Sequence, residues 1–364
     1  MSGTIISLPI LAGKKDQLEA VVSILEREVP SSYRKGIQIY CGGMDRHKLD
    51  SYEGTIRNIR EVVPRSYSIT WHAPFGLRNP NSYYNFIDAE SKESLAENIA
   101  IAEELGARSV IVHLTTSFYH PDRQPDETNG GSYPKEYWKR YRWKPEWNDY
   151  ERVKHEIIDV AYRHLREVAN TTSMRIAVEN MPLTLRGDIS TKEEGLMYDP
   201  KLHTVRSIRD FLMQTNDLRN VGICLDTAHY ELMRRTLGLV YSGDASLEEG
   251  RFIGVNYPEI LGEQPPLEEF TLELFRTGRL YEVQLAGAGE LWLKDTHVLG
   301  EGTDIAPETV QGKELLKVAK FIALHAPGTP ISFDINEPGE SPRKYLERPS
   351  QIRSLRSFFE YMAC

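Results

Sequence analysis

Apolar and polar positions along the chain follow two alternating rhythms. Short runs rich in Ile and Val occur at Gly3–Pro9, Gly36–Cys41, Tyr67–His72, Ser109–His113, Arg175–Glu179, Val221–Asp226, Leu280–Leu285 and Pro330–Ile335. Runs of this length and composition read as buried strands. Between them the apolar spacing changes to three and four. Lys14–Val29 puts Leu18, Val21, Val22 and Leu25 on one stripe, and Ser91–Leu105 does the same with Leu95, Ile99, Ala102 and Leu105, with Gly106 placed to stop the helix. Tyr150–Val168, Thr204–Gln214, Gly312–His325 and Ser350–Met362 carry the same helical pattern.

Strands alternating with helices predict crossover units and a parallel sheet. Eight of them predict a (β/α)₈ TIM barrel, read here as a single domain over residues 1–364. An open doubly wound sheet would need a glycine-rich phosphate turn after the first strand; "PILAGKKD" supplies none. One segment breaks the rhythm. Thr115–Asp149, after the fourth strand, holds eight aromatics, including three of the five tryptophans (Trp138, Trp143 and Trp147). That density argues against disorder, and the segment reads as a lid-like insertion over the barrel mouth.

Composition narrows the function. The chain has 364 residues, 40 % apolar and 27 % charged, and a net charge of -9, so no broad basic field advertises nucleic-acid binding. Cys41, Cys224 and Cys364 are odd in number and widely spaced, which fits reduced cytosolic thiols better than a disulfide framework. Met1–Gly13 has no basic region ahead of its apolar stretch, and no segment reaches the length of a membrane span. A cytoplasmic protein is expected.

The chemistry sits at the strand ends. "SITWH" ends in His72, "SVIVH" in His113 and "RIAVE" in Glu179; "ICLDTAH" supplies Asp226 and His229, "YEVQ" supplies Gln284 and "ISFD" supplies Asp334. In a barrel the C-terminal strand ends converge on one face, so six consecutive strands deliver oxygen or nitrogen donors to one place. "KDTHVLGEG" adds Asp295 and His297, which project to the same side of an extended segment. Taken singly, a strand-end His is more often a hydrogen-bond partner of a loop, and Asp226 with His229 reads as an Asx turn opening a helix. Together they point to a divalent metal site without thiolate. That cation would neutralise Glu179, which is costly to bury alone.

The ordered series WHAPFG, IVHLT, VENMP, CLDTAHY, DTHVLGEG and ISFD, from His72 to Asp334, resembles the xylose isomerase-like TIM-barrel superfamily of sugar isomerases, ketose epimerases, lyases and endonuclease IV. The endonuclease IV pattern implies nine ligands for three zinc ions at His72, His113, Glu179, Asp226, His229, Gln284, Asp295, His297 and Asp334. Gln284 stands where that pattern has histidine and Asp334 where it has glutamate, and His113-Leu-Thr replaces H-P-G. The epimerase pattern implies one manganese or cobalt ion on Glu179, Asp226, Gln284 and Asp334, with Glu179 and Asp334 as the catalytic proton-transfer pair. The resemblance therefore implies one to three Zn, Mn or Co ions per chain and an isomerase or epimerase acting on a carbohydrate-like molecule. An abasic-DNA phosphodiesterase is the alternative, and a ligand-binding barrel without catalysis a third reading. Nucleic acid is the less favoured partner, and a homodimer is compatible. Trp71, Phe75, Arg78, Asn180, Trp138 and Trp143 are candidate substrate contacts, with plain packing an equal alternative for the first three and a supporting hydrogen bond behind the ligands the alternative for Asn180; Glu337 rivals Asp334 as the eighth-strand ligand, and the glycines of Leu299–Ile305 permit a tight turn.

Overall fold

The computed structural model describes residues 3–11, 14–40, 52–73, 89–114, 159–181, 204–242, 264–293, 296–336 and 346–364. Eight strands close a parallel barrel: β1 (Ile5–Leu11), β2 (Arg34–Tyr40), β3 (Ser68–His72), β4 (Ser109–Val112), β5 (Arg175–Glu179), β6 (Val221–Asp226), β7 (Leu280–Gln284) and, after an intervening hairpin, β10 (Pro330–Ser332). They pair in sequence order, and β10 closes the ring by pairing with β1 as well as β7. The hairpin, β8 (Gly287–Leu293) and β9 (Thr296–Thr303), is antiparallel. It was not anticipated, and it replaces the tight turn expected over Leu299–Ile305. The Thr115–Asp149 insertion lies outside the described residues.

Around the barrel stand α1 (Lys15–Glu28), α2 (Tyr52–Val62), α3 (Ala89–Glu104), α4 (159–169), α5 (Val205–Gln214), α6 (Thr227–Ser242), α7 (Leu267–Arg276), α8 (Val310–His325) and α9 (Pro349–Ala363). Local chemistry sets their ends. In α5, Ser207 N donates to Thr204 Oγ1 and Thr204 N donates to Ser207 Oγ, both at 3.0 Å, which satisfies two backbone donors with no helical partner. Gly106 follows α3 at φ 67°, a left-handed position that glycine occupies without steric cost.

Alternation along each strand separates two cores. Outward side chains such as Val110, Ile176, Val178, Ile223, Val283 and Ile331 join the helix stripes in one apolar layer. The barrel interior has its own small apolar cluster, Ile111, Ala177, Cys224 and Tyr281. Polar contacts cross beside it: Thr70 Oγ1 donates to Glu282 Oε2 at 3.1 Å and Ser332 Oγ to Gln38 Oε1 at 2.8 Å. Those strands are not neighbours, so both bonds span the lumen. Among the described residues no helix is long and apolar enough to cross a membrane.

Candidate metal centre

The interior position at the end of each strand, one layer above that cluster, is where the site forms. Two residues beyond Ile111 stands His113, beyond Ala177 stands Glu179 and beyond Cys224 stands Asp226. Glu179 is the hub: its Oε2 lies 3.0 Å from His72 Nε2 and 3.1 Å from His113 Nε2, and its Oε1 lies 3.4 Å from His229 Nδ1. All are buried. Two groups of donor atoms, each within 4.8 Å of one another, share this carboxylate: His72, His113 and Glu179 on one side, and Glu179, Asp226 and His229 on the other.

Neighbouring groups orient each donor. His72 Nδ1 lies 2.9 Å from Ala73 O and His229 Nδ1 lies 2.6 Å from Asn180 O; a ring nitrogen committed to a carbonyl leaves Nε2 as the ligand atom. His229 N donates to Asp226 Oδ1 at 2.9 Å, so the Asx turn expected at the start of α6 exists alongside the cluster. Asn180 holds the same aspartate: its Nδ2 donates to Asp226 O at 3.0 Å, and Asp226 N donates to Asn180 Oδ1 at 2.7 Å.

Burial pushes the Glu179 carboxyl up, but the charge and hydrogen bonds of His113 and His72 outweigh it and hold the group well below the usual carboxylate range. The His113 imidazole is pushed down by burial, against the pull of Glu179. A buried carboxylate set among imidazole nitrogens suits a divalent cation. The donor set contains no thiolate; Cys224 sits in the layer below, and burial followed by the field of Glu179 raises its thiol well above the ordinary range.

A cavity of about 280 Å³ opens above the cluster, with His72, Glu179, Asp226, His229, Gln284 and Asp334 on its floor and walls. Five strand-end residues predicted from sequence, with His229 of α6, therefore meet around one space, and His113 adjoins them through Glu179. Asp334 is half-buried on the wall. His297 is placed opposite Trp292 in the hairpin register. Asp295, Glu337, Phe75, Arg78, Trp138 and Trp143 fall outside the described residues.

Two candidate substrate contacts take their alternative roles instead. Trp71 faces outward and is fully buried, its Nε1 donating to Asn98 Oδ1 of α3 at 2.8 Å, because it alternates with the inward His72. Asn180 does not line the cavity; it hydrogen-bonds the Asp226 backbone, the supporting role that was its alternative. Several wall residues were missed. Tyr40, whose ring lies 4.4 Å from that of His72, ends β2 and was within reach of the strand-end rule. Asn336, Arg348 and Gln351 also line the cavity. Arg348 takes a left-handed backbone at φ 45° and its Nη1 donates to Pro9 O at 2.7 Å; no local sequence signal marks it.

The sequence profile of the family described as xylose isomerase-like TIM barrel matches residues 35–310. The chain belongs to that family. Among solved structures, this xylose isomerase-like barrel is similar to a D-tagatose 3-epimerase-like protein, at 17% identity, TM-score 0.50 and coverage of 99% of this chain and 97% of that one. A D-allulose 3-epimerase from Methylomonas sp. matches at 10% identity and TM-score 0.50, covering 100% and 98%. Endonuclease IV from Thermus thermophilus matches at 15% identity and TM-score 0.47, covering 98% of each chain. No curated protein sequence matches the chain.

Proposed function

We propose that this member of the family is a divalent-metal-dependent isomerase, epimerase or related lyase of a sugar or polyol. The observation that carries the reading is the placement of Glu179 and Asp334 around one small cavity, with Asp226, Gln284 and His229 beside them. At about 280 Å³ the space is at the small end of ligand pockets and matches a molecule of monosaccharide size. The likeness to two epimerase barrels is a likeness of fold and supports the reading at that level alone.

Glu179, Asp226, Gln284 and Asp334 would hold one cation. Bound there, a divalent cation supplies Lewis acidity that polarises a substrate carbonyl or hydroxyl oxygen. Asp334, half-buried and open to the cavity, takes or returns the proton on the adjacent carbon, and Glu179 serves its other face. His72 and His113 keep Glu179 ionised. The cavity walls, including Tyr40 and Arg348, exclude water and orient the hydroxyl groups.

Incubation with a panel of ketoses and inososes in deuterated water tests this, with deuterium expected at the carbon next to the carbonyl. Glu179→Gln should lower kcat on the order of 10³-fold with a smaller change in KM, since it removes a group needed in the transition state. No exchange across the panel, or a Glu179→Gln variant with full turnover, ends the proposal.

A specific observation favours a second reading. Three imidazoles surround Glu179 and its two oxygens serve different donor groups, more nitrogen than a single cation on the epimerase pattern requires. That arrangement favours a metal-dependent phosphodiesterase of the endonuclease IV kind. Nicking of duplex DNA at an abasic site by metal-loaded protein would decide for it, and the absence of nicking at micromolar enzyme would remove it.

A further inference from the structure

The Gln284 side chain stands between two unlike environments. One end of its amide lies 3.3 Å from Glu179 Oε1, from Glu179 Oε2 and from Asp226 Oδ2; the other end lies 2.9 Å from Gln38 Nε2. Gln38 Oε1 in turn lies 2.8 Å from Ser332 Oγ. All three residues are buried, on β7, β2 and β10, so bulk water is not at hand to satisfy a mismatched end.

A primary amide donates at one end and accepts at the other, whereas a hydroxyl does either. The chain of three therefore has two self-consistent arrangements. In the first, Ser332 Oγ donates to Gln38 Oε1, Gln38 Nε2 donates to Gln284 Oε1, and Gln284 Nε2 donates to the Glu179 and Asp226 carboxylates. In the second, both amides are turned over. Gln38 Nε2 donates to Ser332 Oγ, Gln284 Nε2 donates to Gln38 Oε1, and Gln284 Oε1 faces the carboxylate oxygens. Oxygen against carboxylate is repulsive in a buried site unless a cation lies among the oxygens. Neither amide can turn alone, because two N–H groups or two carbonyls would then meet at 2.9 Å.

We propose that Gln38 and Ser332 are positioning residues that decide which end of Gln284 meets the carboxylates, and that the two amides turn over together when a divalent cation enters. The inference rests on the metal-site reading above. Without a cation, Gln284 bridges Glu179 and Asp226 as a donor and offsets their mutual repulsion. With one, it becomes an oxygen ligand whose N–H is held by Gln38.

Mn(II) titration of the whole chain, with the free ion followed by electron paramagnetic resonance, tests the coupling. In Gln38→Glu the carboxylate only accepts, from Ser332 and from Gln284, which fixes the oxygen-inward arrangement. Its added charge also attracts the ion, and that part is measured separately in a Gln284→Met background, where no amide is left to turn. The expected result is a tightening at least tenfold greater with Gln284 present than with Gln284→Met. Equal tightening in both backgrounds, or none, overturns the proposal. Wild-type chain that binds no Mn(II) would instead remove the metal site itself, before any variant is compared. Should Gln38→Glu not fold, selective ¹⁵N labelling of glutamine in the wild-type chain gives a second measurement. Zn(II) should move the side-chain amide signals of Gln38 and Gln284 together, and movement of one alone, or of neither, overturns the relay.

Discussion

Glu282 shows how far a single side chain departs from its solution chemistry inside this barrel. It is fully buried two residues below Gln284, where burial outweighs the Thr70 hydrogen bond and the attraction of Arg108 and pushes its carboxyl up to about 8. Its ordinary value is 4.5, so between these two limits the folded chain keeps a proton that the unfolded chain releases. Stability from this group is therefore complete below pH 4.5 and declines as pH rises toward 8. Glu282→Gln keeps the contact with Thr70 and removes the titration. Its melting temperature should exceed wild type on the order of 5 °C at pH 8 and by little at pH 5, given several kcal/mol of linkage. A difference that stays constant across pH would contradict this. Single residues were also where the sequence was most legible. His72, Glu179 and Asp226 stood at the ends of apolar runs, where a polar side chain needs a reason. Gln38 was a polar interruption within "GIQIY" and could have been noticed; its partner Ser332 could not, because the contact spans 294 positions and depends on barrel closure.

Elements with a clean period were predicted and elements without one were missed. The α1 stripe was visible because Leu18, Val21 and Leu25 are buried on one face, whereas the start of α6, directly at the end of β6, was marked only by the Asx turn of Asp226 and His229, with no apolar stripe to give its length. The β8–β9 hairpin was missed because its glycines resembled a turn. Gly302, at φ 82°, holds the end of β9 against the segment after β10: Asn336 N donates to Gly302 O at 2.7 Å, and a Cβ on Gly302 would meet Asn336 Cγ at 2.7 Å. Both residues line the cavity. Gly302→Ala combines left-handed strain with that clash, for about 1–3 kcal/mol. It should raise KM severalfold through displacement of Asn336 while leaving the strands paired by circular dichroism. Unchanged KM and unchanged melting temperature would show that the segment gives way freely.

At the scale of the molecule, any cation held by the cluster would be linked to the fold. Glu179, Asp226 and three imidazoles converge from β3, β4, β5, β6 and α6, so an ion that binds them joins elements the unfolded chain keeps apart. Saturation at about 100 times the dissociation constant should stabilise the fold by about 2.7 kcal/mol. A melting temperature that does not rise with added Mn(II) or Zn(II), and does not fall with a chelator, would show that the cluster binds neither. The barrel itself was legible from eight runs in order, since the rhythm of strand and helix is written locally. The hairpin's attachment and the Arg348 tie to β1 arise from closure and leave no periodic trace.

Closure has one more consequence, which lies in time. The seam is short: β10 has three residues, pairing Ile5 with Pro330, Ile6 with Ile331 and Ser7 with Ser332, and it meets β7 at only two. A growing chain on the ribosome holds every histidine of the cluster long before Ser332 exists, yet the cradle beneath Gln284 stays unfinished until that last strand docks. The donors of the cluster therefore reach their final arrangement only when a strand some hundred residues beyond the last of its histidines has closed the ring.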